Sequence, residues 1–491
     1  LELTLTGKAC GLPDRAPMCG VPFHSYEIYA ARLIAKGYKV AICEQMEDPA
    51  LAKGLVKRDI IRVITPGTVI ESSMLADDKN NYICSIYTRK VRSRWKAGIC
   101  FADISTGEAY ATELTAEKMG PAIITELCRY MPSEILINPA LLDLKEVTNY
   151  VRQHTHALVE LREDACYQQR VMEDAMTAQF GADWRNTCGF AQDGLVPYAF
   201  GALLGYLHET QKHGIDRIKS VQNYADAQYM RLSPVTRANL ELTETMRGRE
   251  KRGTLLWVLD KTETSMGKRQ LRAWIEQPLV DSSVINQRLD AVEALYNANV
   301  TRADLKEALS HVYDIERLTT RILYGSATPK EVKALGDTCV YLPQVRQLAR
   351  QCTTPLLQEL SGAVDPLEDL LDLINRALVE DPPANLKDGG AIRAGFNAEV
   401  DELRDIMHGG KGFLSQLEAK LKEETGIPKL KIGFNKVFGY YIEVSRSYAA
   451  SVPDTFIRKQ TLTTGERYIT PELKELENKI VGANERLLVL E

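Results

Sequence analysis

The stretch FNAEVDELRDIMHGGKGFLSQLEAKL, residues 396–421, decides how the C-terminal part of this 491-residue chain is organised. Its apolar residues alternate spacings of three and four, with Gly410 taking one position of the series Phe396, Val400, Leu403, Met407, Leu414, Leu417 and Leu421. This heptad stripe predicts a helix of ~28 residues, roughly 40 Å long. A second such stripe lies in PELKELENKIVGANERLLVL, residues 471–490, where Thr470 and Pro471 suit the N-cap and the first helical position.

The segment between the two helices has the character of β-structure. Strand-like runs cover Lys429–Phe434, Gly439–Val444 and Thr455–Leu462, which predicts an antiparallel helical stalk with a small β tip at its end. Between Thr425 and Gly465, six basic residues stand against Glu443 and Asp454, a net charge of +4, although the whole chain has 61 basic and 66 acidic residues and a net charge of −5. The basic residues are Lys429, Lys431, Lys436, Arg446, Arg458 and Lys459.

A basic, polar β tip held away from the body by paired helices predicts contact with the phosphate backbone of DNA. The alternative that the sequence leaves open is a solvated hairpin whose lysines only keep its edges from aggregating.

The rest of the chain divides into two α/β regions and a helical region, so the fold class is multidomain α/β plus all-α. Residues 1–76 mix short strands with one helix over Tyr26–Lys36, and residues 77–215 begin with three consecutive strands. Residues 235–378 predict successive amphipathic helices, separated at Pro278, Pro329 and Pro343. Because the chain starts with Leu1, and its last helix runs uncapped into Glu491, we expect a fragment of a longer protein.

Two glycine–lysine segments imitate phosphate-binding loops. TETSMGKRQ, residues 262–270, lacks the first glycine of the Walker pattern and has Arg269 where Ser or Thr is required, so it predicts a helix start. Gly409–Gly412 (GGKG) lies inside the heptad stripe and predicts a kink. The sequence therefore predicts no catalytic residue in this chain.

Metal chemistry has one weak candidate. Asp103 ends a strand, with Glu108 and Asp143 as possible companions, which leaves a metal-dependent nuclease as an alternative. His154 and His156 are two residues apart and would face opposite sides of a helix, and the ten cysteines contain no CxxC pair. We therefore predict no bound metal. No apolar run approaches the ~18 residues of a membrane span, and scattered thiols suit a cytoplasmic protein.

Several ordered blocks of this sequence resemble the MutS family of DNA mismatch-repair proteins. They are MCGVPFHS (18–25), AICEQMEDP (41–49), VITPGTV (63–69), TRANLE (236–241), GTLLWVLDKTETSMGKRQLRAWIEQPLVD (253–281), DGGAIRAGFNAEVD (388–401), KIGFNKVFGYYIE (431–443) and RKQTLTTGERYITPELK (458–474). The blocks cover essentially the whole chain.

The resemblance implies a domain order. Its segments are a partial mismatch-binding domain (1–76), an RNase H-like connector domain (77–215), a helical core or lever domain (216–405), an inserted coiled-coil and β-tip DNA clamp (406–465) and a truncated return lever helix (466–491). The family's Phe-x-Glu mismatch wedge would lie upstream of Leu1, and its ATPase domain beyond Glu491.

The resemblance also implies a DNA-binding role for particular residues. These are Asn435 and Lys436 in GFNKVFGYY, and Arg458 and Lys459 in RKQTL. Lys429 and Lys431 join them through the charge count of the β tip. Arg58 and Met18 are expected near the mismatch.

For the whole protein, the resemblance implies an ATP-dependent sensor that recognises mismatches or small loops in duplex DNA. ATP and Mg²⁺ would be its cofactors, and a second copy and a MutL-type repair protein its partners. This chain would supply the DNA-holding body without cofactors of its own. Besides the nuclease, two alternatives remain: a relative that acts in recombination without mismatch sensing, and a protein-binding helical scaffold with no nucleic-acid role.

Overall fold

A computed structural model gives the fold of the chain. It describes residues 2–9, 11, 13–22, 25–47, 54–92, 94–212, 215–225, 228–435, 439–453, 455–461 and 465–491. The chain forms two compact units, one of residues 1–327 and 340–366 and the other of residues 328–339 and 367–491. No helix within the described ranges has both the length and the apolar character that a membrane span needs.

The described residues at the start of the first unit form two small antiparallel strand pairs and one helix. These elements are β1 (Thr6–Lys8), β2 (Ala16–Met18), α1 (Tyr26–Ile34), β3 (Val40–Gln45) and β4 (Arg58–Ile64). The helix predicted over Tyr26–Lys36 is confirmed, and Gly37 follows it with φ +80°, a backbone angle that favours glycine. Ile34, Ile64 and Val69 form a small core between these elements.

A six-stranded sheet forms the centre of the first unit. Its strands are β5 (Ile83–Val91), β6 (Arg94–Asp103), β7 (Glu108–Thr115), β8 (Glu134–Ile137), β9 (Leu158–Leu161) and β10 (Gln222–Asn223). The strand order is β10-β7-β6-β5-β8-β9, with β5, β6 and β7 antiparallel, and β8 and β9 parallel to β5. The predicted run of three consecutive strands is therefore confirmed.

Helices cover both faces of this sheet. They are α2 (Met119–Tyr130), α3 (Lys145–His154), α4 (Gln169–Phe180), α5 (Trp184–Cys188) and α6 (Val196–Gln211). Ile123 and Leu127 of α2 pack with Ile99 on one face, whereas Phe200 and Leu203 of α6 pack with Cys100 on the other. Two apolar cores thus hold the sheet, which explains why β5 and β6 contain so many buried residues.

Successive helices follow the sheet. They are α7 (Pro234–Asn239), α8 (Leu255–Leu259), α9 (Ser265–Glu276), α10 (Ser282–Asn297), α11 (Asn299–Ser310), α12 (Ile315–Leu323), α13 (Pro329–Arg350) and α14 (Pro355–Ala363). Pro329 starts α13 as predicted, but the break predicted at Pro343 is wrong because Pro343 lies inside that helix. A proline removes one backbone hydrogen bond. Buried Leu335 and Leu348, on either side of Pro343, stabilise a helix that continues through it.

Among its described residues, the second unit contains one short α-helix, two long α-helices and a four-stranded sheet. Its elements are α15 (Glu368–Ala377), α16 (Ala398–Thr425), β11 (Lys431–Asn435), β12 (Gly439–Ser445), β13 (Ile457–Thr461), β14 (Gly465–Ile469) and α17 (Pro471–Leu490), together with the start of α13. The strand order is β11-β12-β14-β13. The sequence predicted three of these strands and missed β14, whose five residues follow β13 closely.

The long helices α16 and α17 pack along one another through the predicted apolar stripes. Val400 and Leu403 pack with Ala483 and Leu487, while Leu473 packs with Leu414 and its neighbours. The Thr470 side chain accepts a hydrogen bond from the Leu473 N–H, so the predicted cap of α17 is confirmed. The predicted stripe starts too early, because Asn397 caps α16 and Phe396, which precedes it, is 41% exposed.

Candidate nucleic-acid interface

The β tip is anchored where α16 ends. Gly426 closes the helix with φ +66°, and Ile427 and Leu430 are fully buried immediately after it. These two side chains join Ile442 and Val444 of β12 and others in one apolar cluster beneath the sheet. The chain therefore enters β11 from a fixed position.

The register of the sheet separates an apolar face from a polar face. Ile432, Ile442 and Tyr468 are cross-strand neighbours, and all three belong to the apolar cluster. The adjacent row contains Lys431, Glu443, Arg467 and Gln460. Because side chains alternate between faces along a strand, this second row lies on the opposite, polar face.

Arg467 organises the polar face. Its Nε lies 3.4 Å from the Glu443 carboxylate, its Nη1 donates to Gln460 Oε1 at 3.0 Å, and its guanidinium lies 4.1 Å from the centre of the Tyr441 ring. A Cβ atom on Gly433 would lie 2.8 Å from the Tyr441 ring, so the ring lies across a strand position that needs glycine. This arrangement holds a cation and a phenol on a surface that could face phosphate oxygens.

Arg467 is not among the residues predicted from the sequence. The residue lies just beyond the segment in which charges were counted, on the strand that was not predicted. The available signal was the alternation in GERYI, where Gly465, Arg467 and Ile469 share one face and Glu466 and Tyr468 share the other.

The predicted cations lie on both edges of the tip. Lys431 is exposed on the edge strand β11, and Lys429 is exposed just before it. Arg458 and Lys459 are exposed on β13, the other edge, which lies three strand spacings or roughly 14 Å away. The predicted residues therefore do not form one compact cluster.

Arg458 and Lys459 also differ in register. Arg458 is the cross-strand neighbour of Tyr468, on the apolar face, and its Nη1 lies 3.4 Å from Glu466. Lys459 occupies the irregularity between Arg458 and Gln460, where the pairing with β14 shifts by one residue. A bulge of this kind turns a side chain away from the regular alternation.

Two carboxylates at the tip and its base, Glu466 and Glu418, accept hydrogen bonds from neighbouring residues. Glu466 accepts a hydrogen bond from the Tyr468 hydroxyl, and burial together with this bond raises the pKa of Tyr468 to about 12. Glu418 of α16 accepts from the Ile432 N–H at 2.9 Å and pairs with Lys422 at 2.6 Å. Burial alone would raise its pKa, but these partners outweigh burial, and the pKa of Glu418 is lowered.

The remaining predicted residues lie at the end of β11, outside the described residues, or on the strand pairs at the start of the chain. Asn435 is the last residue of β11 and is half-buried, whereas Lys436 lies outside the described residues. Met18 is 44% exposed at the end of β2, opposite Thr6, and Arg58 is exposed at the start of β4, opposite Gln45. The structure places Met18 and Arg58 on two different strand pairs.

The candidate catalytic segments have structural roles. Asp103 is fully buried, and its carboxylate accepts hydrogen bonds from the Ser105 N–H at 2.9 Å, the Ser105 hydroxyl at 2.7 Å and the Asn81 N–H at 2.9 Å. Among the described residues, no group of three His, Cys, Asp or Glu side chains could hold a metal.

The Thr264 hydroxyl caps α9, so residues 262–270 form a helix start as predicted, and the backbone of Gly409–Gly412 is helical.

Comparison with known proteins matches the chain to three family models in order. Residues 1–73 match MutS domain I, residues 81–222 match MutS domain II and residues 235–483 match MutS domain III. The third match alone covers half of the chain.

Similar curated proteins come from several bacteria. The DNA mismatch repair protein MutS of Ruminiclostridium cellulolyticum is 46% identical over all of this chain and 55% of the relative's length. The protein of the same name from Acetivibrio thermocellus is 47% identical over all of this chain and 56% of its own length. The chain thus spans about half the length of the curated relatives it matches. Together, the three domain matches and these relatives show that the chain belongs to the MutS family of DNA mismatch-repair proteins.

Proposed function

We propose that this chain is the duplex-DNA-binding part of a mismatch-recognition protein that acts in DNA repair. The observation that carries the proposal is the set of exposed cations on the two edges of the β tip. Lys429, Lys431 and Lys459 form no salt bridge with any residue that the structure describes, so their charge is available to phosphates. Arg467 and Tyr441 add donors on the polar face between the edges.

The proposal extends to the domains and to the predicted residues. Residues 1–76, 77–215, 216–405, 406–465 and 466–491 would be the partial mismatch-binding domain, the RNase H-like connector, the lever domain, the clamp and the return helix. The order of β5 to β9 supports the connector assignment, and the packing of α16 on α17 supports a coiled-coil stalk. Asn435, Lys436, Arg458, Lys459, Lys429 and Lys431 would contact DNA through the clamp, with Arg58 and Met18 near the mismatch.

The activity of the whole protein is part of the same proposal. It would be an ATPase that uses ATP and Mg²⁺, that works in the cytoplasm as a homodimer and that signals to a MutL-type protein. This chain contains no intact Walker sequence, so none of its residues is assigned to ATP.

The alternatives have less support. The match of residues 1–73 to MutS domain I favours mismatch sensing over a purely recombinational role. A nuclease centred on Asp103 is disfavoured because the Asp103 carboxylate already accepts three hydrogen bonds from Asn81 and Ser105.

The test is a charge reversal at the tip. The triple variant Lys431→Glu, Arg458→Glu and Lys459→Glu should weaken binding equally to matched and mismatched duplexes, because phosphate contacts carry no sequence information. The slope of log K against log salt should flatten by ~0.9 for each phosphate that the variant no longer neutralises. Both quantities follow from fluorescence anisotropy with labelled duplexes at several salt concentrations.

The matched control reverses three charges near the base of the stalk. Lys330 and Lys333 of α13 and Arg376 of α15 precede α16, and Lys330 and Arg376 are exposed with acidic partners. Their reversal to Glu changes the net charge by the same amount and should leave the slope nearly unchanged. Equal effects of the two triple variants, or no effect of the tip variant, would contradict the proposal.

A further inference from the structure

Residues 77–81 connect the N-terminal α/β region to the six-stranded sheet, and the structure holds each of them by a side chain or backbone contact. All of these contacts lie within the first unit. The partners come from the helical region after residue 250, from the ends of β6 and β7, and from Pro66 and Ser133. This segment (the linker) therefore lies between the two α/β regions along the chain and contacts the helices.

Three consecutive carbonyl groups of the linker each accept a hydrogen bond from a different arginine. Arg269 Nη1 donates to the Asp77 carbonyl at 3.4 Å, Arg272 Nε to the Asp78 carbonyl at 3.1 Å, and Arg317 Nη2 to the Lys79 carbonyl at 2.9 Å. These bonds recognise the backbone and fix the linker over three residues. Each is charge-assisted, a class stronger than neutral hydrogen bonds.

Side chains of the linker add to this recognition. The Asp78 carboxylate accepts from Lys251 Nζ at 3.2 Å and from Arg272 Nη2 at 3.4 Å. Burial alone would raise the pKa of Asp78, but Arg272 and Lys251 outweigh burial, and the pKa is lowered. Asn80 Nδ2 donates to Glu108 at 2.8 Å, and the Asn81 N–H donates to Asp103 at 2.9 Å.

The cations are themselves held in place by acidic partners. Arg269 forms two bonds to Asp314, at 2.6 and 2.8 Å, and one to Glu316 at 2.5 Å. Arg272 pairs with Glu276 at 3.3 Å. Lys251 pairs with Asp260 at 2.8 Å. Arg269 and Arg317 are only 4% and 5% exposed, so their guanidinium groups are pre-organised toward the linker.

We propose that Lys251, Arg269, Arg272 and Arg317 form a cradle that binds the acidic linker as an intramolecular peptide. The four cations are positioning residues that join the helical region to the linker between the two α/β regions. The cradle assigns a role to the TSMGKRQLR segment, which imitates a phosphate loop in sequence but supplies Arg269 and Arg272 to the linker. Asp103 and Glu108, the acids considered above for a metal, hold the other end of the same segment.

The test is hydrogen exchange on the full chain without DNA, followed by mass spectrometry of peptides covering residues 76–82. Arg272→Ala removes the donor to the Asp78 carbonyl and one partner of the Asp78 carboxylate. Exchange of the Asn81 amide, whose N–H donates to Asp103, should accelerate about tenfold or more, because this hydrogen bond protects the amide only while the linker is held. Peptides from β5 and β6, residues 83–103, should exchange at the unchanged rate.

Two further variants separate this role from general destabilisation. Lys268→Ala removes a cation of the same helix that has no described contact with residues 77–81. It should leave hydrogen exchange in the linker peptide unchanged. Arg272→Lys keeps the charge and should restore part of the protection.

Asp78→Asn tests the cradle from the linker side, should Arg272→Ala fail to fold. It weakens the bonds to Lys251 and Arg272 and should accelerate linker exchange several-fold. The proposal is overturned if linker exchange is unchanged in Arg272→Ala and Asp78→Asn, or if β5 and β6 accelerate as much as the linker. Because no DNA is present, this result is independent of the clamp experiment.

Discussion

Glu108 is a largely buried carboxylate, and we predict that its ionisation reduces the stability of the chain above neutral pH. It accepts hydrogen bonds from Asn80 Nδ2 at 2.8 Å and from the Tyr82 hydroxyl at 3.4 Å, and it is the cross-strand neighbour of Asp103. Burial, followed by the nearby charges of Glu316 and Asp103, raises the pKa of Glu108 to about 7 from its usual 4.5, although Arg269 acts in the opposite direction.

The sign and the size of the effect follow from this pKa. Between pH 4.5 and about 7, the folded chain keeps a proton on Glu108 that the unfolded chain has released, so the free energy of unfolding falls as pH rises through this window. A difference of one in pKa corresponds to 1.36 kcal/mol. For a fully buried group, the difference between 4.5 and about 7 would therefore correspond to roughly 3 kcal/mol. Because Glu108 is partly exposed, we expect about 2 kcal/mol.

The substitution Glu108→Gln removes the charge and keeps an oxygen that can accept from Asn80. Relative to the unchanged chain, it should raise the free energy of unfolding by about 2 kcal/mol at pH 8 and by much less at pH 5. Urea unfolding at pH 5, 6, 7 and 8, at constant ionic strength, gives both values.

The control is Glu117→Gln, which removes one negative charge at an exposed position after β7. If the free-energy difference between Glu108→Gln and the unchanged chain is the same at all four pH values, the assignment of a buried, proton-binding Glu108 is refuted. The predicted sign of the pH dependence would be refuted if Glu108→Gln, relative to the unchanged chain, raised the free energy of unfolding less at pH 8 than at pH 5.

Two further pairs of substitutions test the packing. Gly98→Ala should destabilise the first unit by about 3 kcal/mol or prevent folding, because the new Cβ would lie 2.3 Å from the backbone carbon of Leu195, which cannot swing aside. Gly205→Ala, whose Cβ would meet nothing within 4 Å, should be neutral or slightly stabilising within α6, and thermal unfolding of the two variants compares them. Leu473→Ala, at a fully buried position of the apolar cluster beneath the β tip, should destabilise that region by about 2–5 kcal/mol, whereas Val489→Ala, at an 86% exposed position, should change stability by less than about 0.5 kcal/mol. Hydrogen exchange in β11, β12 and β14 measures this difference, and equal exchange in both variants would contradict the packing of Leu473 beneath the sheet.

The elements whose signals are local could be predicted from the sequence alone. The stripe of Val400, Leu403, Leu414 and Leu417 predicts α16, and Thr470–Pro471 predicts the start of α17, because periodicity and capping act over a few neighbouring residues. The turn at Ser105–Gly107 is similarly local, since Gly107 adopts φ +81° between β6 and β7. Family resemblance added the expected domain order, and the three family-model matches show the family itself.

Which side chains contact one another follows from the three-dimensional fold and could not be predicted from local patterns. The register of β13 on β14 places Arg458 and Lys431 on different faces and edges of the tip, and no local pattern encodes a shift of one residue. In the sequence, Asp103 and Glu108 suggest metal ligands. In the folded chain, Asp103 accepts a hydrogen bond from the Asn81 N–H, and Glu108 accepts one from the Asn80 side chain. Arg272 and Arg317 contact the linker from positions 194 and 238 residues away. Such contacts depend on the packing of separate elements, which periodicity and capping along the chain do not specify.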